Sequence, residues 1–207
     1  MKRAKPIKDL WRIKAIKDML QETGNLNDAK YYALFTVGIN TGLRFSDLSV
    51  LKWGDVLDDD GLVKERIQIT MKKTGRGVEI YLNEAAREAL EYYHQLLPLP
   101  VQRTSTGTIP TPISFYAGDY LFPGRNGKPL TRQAATERIK KICEKVGLKG
   151  SYGVGSFRKT WACHAYDAGV RIEIIMQRLG HESPAQTKRY IGITQEEVEE
   201  AERRVVL

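Results

Sequence analysis

The sequence is poor in cysteine, in histidine and in long apolar runs, and each scarcity removes a class of protein. Its two cysteines, Cys143 and Cys163, form no C-x-x-C pair and have no histidine at metal-ligand spacing. That excludes a disulfide framework and a zinc module; both lie in helical patterns and are expected as buried reduced thiols. No apolar stretch approaches the roughly 20 residues that cross a bilayer, and the opening MKRAKPIKDL has no hydrophobic signal core. A soluble, cytoplasmic protein with no membrane contact is expected, with no metal and no other cofactor.

What is present in excess is positive charge. Lys and Arg number 33 against 25 Asp and Glu, a net charge of +8, and the field of such a surface concentrates a polyanion such as nucleic acid. At 207 residues with 42% apolar content, the chain is long enough to bury the core of one compact domain over residues 1–207.

The periodicity is mostly helical. Leu10, Trp11, Ile13, Ile16, Met19 and Leu20 mark a first helix, closed by the turn chemistry of Glu22-Thr23-Gly24-Asn25. From Asp28 to Gly42 a second helix is apolar around most of its circumference, as a central helix is. Arg66–Met71 and Val78–Leu82 alternate polar and apolar residues about Thr74-Gly75-Arg76-Gly77, which predicts a β-hairpin with Lys72, Lys73 and Arg76 at its tip. Asn83 caps a helix to about Leu97, residues 98–113 form a loop rich in Pro, Ser and Thr, and Tyr120–Phe122 is a short strand. Thr131 caps a helix with a basic face that includes Arg132 and Arg138 and suits a DNA backbone. Helices follow over 157–167, 172–179 and from Ser183-Pro184 through Tyr190, and Thr194 with Glu197 starts a last acidic helix in capping-box register. The fold class expected is mainly α with a small antiparallel β-sheet (α+β).

Chemistry concentrates in the last quarter. Arg158, His181 and Tyr190 stand in the frames SFRKTWACHAY, RLGHESP and TKRYIGI, and Arg44 stands upstream in TGLRFSDL. A tyrosine alone on a helix is usually core, and a histidine after a helix-ending glycine is usually structural. Two arginines, a histidine and a tyrosine together suit attack by a phenol on one phosphodiester. With an unperturbed pKa of about 10 the phenol is a weak nucleophile, and guanidinium groups can both favour the phenolate and hold two phosphate oxygens.

In these frames the chain resembles the tyrosine recombinase (phage integrase) family over Gly38 to Gln195. The resemblance implies that Arg44, Lys73, Arg158, His181 and Tyr190 are catalytic, with Asp47 as the acidic residue behind the arginines. Arg44 and Arg158 would hold the nonbridging oxygens, His181 would hydrogen-bond the phosphate, Lys73 would protonate the leaving 5′ oxygen, and Tyr190, nine positions after His181, would form the 3′-phosphotyrosyl bond. Lys72, Arg76, Lys159 and Arg189 are expected to contact DNA. Double-stranded DNA is the partner implied, with a homo-oligomer (a tetramer on DNA, a monomer possible without it) that could exchange its last helix between protomers. An N-terminal DNA-arm domain, usual in the family, would be absent or removed. One position departs from the pattern: the family's His-x-x-Arg has Gly155 in place of histidine, and glycine offers no side chain to donate a proton. That keeps open a DNA-binding relative with little or no activity, and a type IB topoisomerase is the other alternative.

Overall fold

Everything that positions the site hangs on one buried helix. In the computed structural model, which describes residues 4–98, 101–104, 107–110, 116–192, 199 and 203–204, α1 (Leu10–Glu22) leads into α2 (Leu26–Thr41). The Asn25 side chain caps α2 by accepting a hydrogen bond from the Asp28 N–H at 2.9 Å, so the helix starts two residues ahead of the predicted Asp28. Almost all of α2 is buried, against α1, α5 (Glu84–Gln95) and α7 (Val154–Asp167). Gly42, at φ 63°, ends it in the left-handed conformation that glycine adopts without strain.

Helices α2 and α7 cross in close contact. Phe35 and Phe157 meet edge to face at 5.7 Å, and a Cβ on Gly38 would lie 2.5 Å from Phe157 Cδ2. Alanine gains about 1 kcal/mol over glycine in a helix interior, but here it must push aside a fully buried ring. Overpacking of this kind costs about 1–3 kcal/mol, so Gly38→Ala is expected to lower stability by up to about 2 kcal/mol net. Chemical denaturation of the variant checks it, and a stabilised variant would refute the close crossing.

Strands β1 (Arg66–Thr70) and β2 (Gly77–Tyr81) pair antiparallel, with Arg66 opposite Tyr81 and Thr70 opposite Gly77. Ile67 and Ile80 face the core from directly opposed positions, as the period of two requires. The predicted loop over 98–113 contains a second ribbon, β3 (Val101–Thr104) with β4 (Gly107–Pro110). Its Thr, Val and Ile are β-branched and favour strands, a preference that the Pro- and Ser-rich flanks conceal. In place of the expected strand over Tyr120–Phe122 there are two isolated bridges, Tyr120 to Lys52 and Pro123 to Pro129, the prolines having no N–H with which to extend a ladder.

Besides single turns such as α4 (Trp53–Val56), three more helices follow: α6 (Arg132–Lys145), α8 (Ile172–Leu179) and α9 (Pro184–Ile191), with α7 between α6 and α8. Ala162 and Cys163 of α7, Ile175 and Leu179 of α8 and Ile191 of α9 form a small apolar cluster separate from the main core. Cys163 Sγ also donates to the Ile191 carbonyl at 3.4 Å. Both cysteines are buried thiols as expected, and burial pushes Cys143 up to about 12. The basic face read on α6 is partly structural: Arg138 pairs with Asp28 and lies over the Tyr31 ring. The last helix, expected over 194–204, falls outside the described residues apart from 199, 203 and 204. Among the described residues no helix is long and apolar enough to cross a membrane.

Candidate active site

The ends of α2 and α8 meet beside the first turns of α7. An α-helix leaves its last carbonyls without partners inside the helix, and here arginines supply them. Arg158, on α7, donates from Nη1 to the Gly42 carbonyl at 2.8 Å and from Nη2 to the Leu179 carbonyl at the end of α8. Arg44, which leads into the short helix α3 (Phe45–Leu48), donates from Nη2 to the same Leu179 carbonyl at 3.2 Å. The dipole that acts on Arg158 is therefore the negative C-terminal end of two helices.

Two guanidinium groups thus share one oxygen. Burial chiefly, and after it the charge of Arg44, push Arg158 down to about 10; an anion between the two guanidinium groups would oppose their mutual repulsion. Arg178, half-buried on α8, holds the Thr41 carbonyl and so braces the turn that carries Arg44. Burial lowers its pKa, and Asp47 opposes that shift. Asp47, on α3 and 2% exposed, also accepts the Lys72 N–H through Oδ1 at 3.0 Å. One carboxylate therefore ties the β1–β2 turn to the arginine cluster.

Tyr190 reaches this cluster from α9. Burial raises the pKa of its phenol, and Arg158 and Arg44 pull it back without cancelling the rise. The His181 ring stands edge-on to the Tyr190 ring at 5.1 Å, and His181 Nδ1 is 3.0 Å from the buried Thr187 hydroxyl. Burial, together with Arg158, Arg44 and Lys73, lowers the His181 pKa, so the imidazole is neutral near pH 7.

Arg44, Arg132, Gly155, Arg158, His181 and Tyr190 line a cavity of about 260 Å³. It continues into a groove of about 710 Å³ along Lys159, Gln186 and Arg189, where Lys159 Nζ lies 5.5 Å from the centre of the Tyr190 ring. On the other flank, Arg76 shares a groove of about 370 Å³ with Arg44 and Arg178. Lys73 does not line the cavity; it is exposed on the turn, near enough for its charge to act on His181. Lys72 is exposed beside it, with its backbone held by Asp47. Among the described residues no group of His, Cys, Asp and Glu could hold a metal ion.

Sequence reasoning missed two supports of this site. Arg178 precedes the Leu-Gly-His frame and reads as an ordinary basic residue in a helix's last turn, and its role depends on a turn far away in the chain. Thr187, six residues after His181, has a stronger signal, since that spacing returns a side chain to the start of the next helix.

Such a fold, with an arginine pair, a histidine and a tyrosine around one cavity, defines the tyrosine site-specific recombinases. The phage integrase family model matches residues 12–197, and the chain belongs to that family. It is 29% identical over 192 residues to the probable integrase/recombinase YoeC of Bacillus subtilis, covering 92% of this chain and 91% of that protein. To tyrosine recombinase XerC of a Roseiflexus species it is 31% identical over 153 residues, 74% of this chain but 44% of that protein. Among solved structures, a Tn1549 transposon integrase in complex with a circular intermediate DNA superposes with a TM-score of 0.69 at 19% identity, over 99% of this chain and 67% of that one. The architecture is that of the catalytic domains of such enzymes.

Proposed function

We propose that residues 1–207 act as one catalytic domain that cleaves and rejoins double-stranded DNA at specific sites through Tyr190. The phenol oxygen attacks a backbone phosphorus and releases its proton to water; the new P–O bond is a 3′-phosphotyrosyl ester, and the bond to the 5′ oxygen breaks. Arg44 and Arg158 hold the nonbridging oxygens, His181 hydrogen-bonds the phosphate, and Lys73 brings a proton to the leaving oxygen. Phosphoryl transfer asks chiefly for position and charge, and the arginines supply both. Asp47 positions the Lys73 turn, while Lys72, Arg76, Lys159 and Arg189 follow the DNA backbone on either side. A free 5′ hydroxyl can reverse the step, so rejoining needs no ATP. Four copies on two duplexes, working in the cytoplasm, would complete an exchange.

The observation that carries this reading is the sharing of the Leu179 carbonyl by Arg44 and Arg158 next to the Tyr190 phenol. The test is a nicked DNA substrate whose cleaved end diffuses away and traps the ester. A covalent protein–DNA species with the link mapped to Tyr190 by mass spectrometry is expected. Binding without any covalent species would instead fit a relative that only binds DNA, and relaxation of supercoils without paired sites would fit a topoisomerase.

A further inference from the structure

Gly155 sits in the first turn of α7 and lines the cavity, yet the wall it leaves without a side chain is occupied. A Cβ on Gly155 would lie 3.2 Å from the Ala4 Cβ and 4.0 Å from Arg132 Nη2. The Ala4 methyl packs there because the N-terminal segment is strapped over α7: Lys5 N–H donates to the Ser151 carbonyl at 2.8 Å, and Ile7 N–H donates to the Thr160 hydroxyl at 2.9 Å. Arg132 comes from the opposite side, as the first residue of α6, on a turn fixed by the Thr131 hydroxyl accepting the Ala134 N–H at 3.2 Å.

Among the described residues nothing employs this guanidinium. Arg132 is exposed and makes no hydrogen bond or ion pair among the described residues. It also stands where stability disfavours it, since the N-terminal end of a helix carries partial positive charge and prefers an acidic side chain. It lines the same cavity as Arg44 and Arg158, and so adds a third positive charge to that wall. A cation in such a place is explained by an anion that comes to it.

We propose that Arg132 is a third arginine on the attacked phosphate, reaching from α6 into the space beside Gly155 and donating to a nonbridging oxygen as charge builds up there. This rests on the recombinase reading above and adds a residue to it. A fixed donor aimed at developing charge is worth about 10²–10³ in rate. Lysine, a single point charge without the fork, replaces that geometry only in part.

The test is single-turnover formation of the covalent species on the nicked substrate, at saturating DNA, for the wild type, Arg132→Ala and Arg132→Lys, together with DNA affinity and thermal unfolding. Arg132→Ala is expected to slow adduct formation about a hundredfold, with Arg132→Lys between the two, while the unfolding midpoint stays that of the wild type. An Arg132→Ala rate within about twofold of the wild type would overturn the inference. So would a loss confined to salt-dependent affinity with the saturated rate intact, which is the signature of a backbone contact away from the reaction. A wild type that forms no adduct at all would take down the recombinase reading first, and this one with it.

Discussion

Tyr190→Phe is expected to abolish covalent attachment to DNA while leaving DNA binding within a few-fold of the wild type. The ring that packs edge-on to His181 and under Lys159 survives the change, and Ile191, the residue of α9 in the small apolar cluster, is untouched. Only the oxygen is lost. A denaturing gel of the trapped complex reads the result, and any residual adduct would mean that another nucleophile had been doing the chemistry. The wild type carries a related expectation. Because burial raises the phenol's pKa even beside two arginines, the phenolate is a minor species at neutral pH. Its fraction grows about tenfold per pH unit below the pKa, so adduct formation should climb as pH rises from neutral. A flat profile would show that phenol ionisation does not limit the step.

Arg158→Ala is the second large effect, and it acts on the chemistry and the fold together. Losing a donor aimed at the phosphate is expected to cost about 10²–10³ in the rate of adduct formation. The same change leaves the Gly42 carbonyl without its partner and the Leu179 carbonyl with Arg44 alone. An unsatisfied buried acceptor costs about 1–3 kcal/mol, partly offset because Arg44 no longer faces a like charge, so a net destabilisation of about 1–2 kcal/mol is expected. Arg158→Lys keeps the charge but cannot serve two carbonyls and a phosphate with one ammonium, and it should recover little of the rate. Calorimetry alongside single-turnover kinetics separates the two losses. An Arg158→Ala protein with normal kinetics would show that Arg158 only props up the site.

The site was legible where local spacing governs it. Arg158, His181 and Tyr190 lie on consecutive elements whose caps and breaks, Gly180 and Ser183-Pro184, can be read from residue type, while their grouping around one cavity was what the family resemblance implied. Arg44 was legible as the residue after a buried helix that ends in glycine. What could not be read were contacts to backbone and pairings across the chain. The Leu179 carbonyl has no letter in the sequence, and Arg132 and Arg138 looked alike as contacts to a DNA backbone, although Asp28 and Tyr31 hold Arg138. The β3–β4 ribbon was hidden because turn-forming neighbours outweighed its short β-branched runs.

The oxygen at residue 179 belongs to the main chain. No replacement of that side chain can delete it, so the meeting point of the two guanidinium groups tolerates drift at position 179 as long as α8 still packs. Its exposed point is the next peptide: Gly180 turns at φ 56°, and a β-branched residue there would strain the turn and swing the oxygen away from both arginines at once.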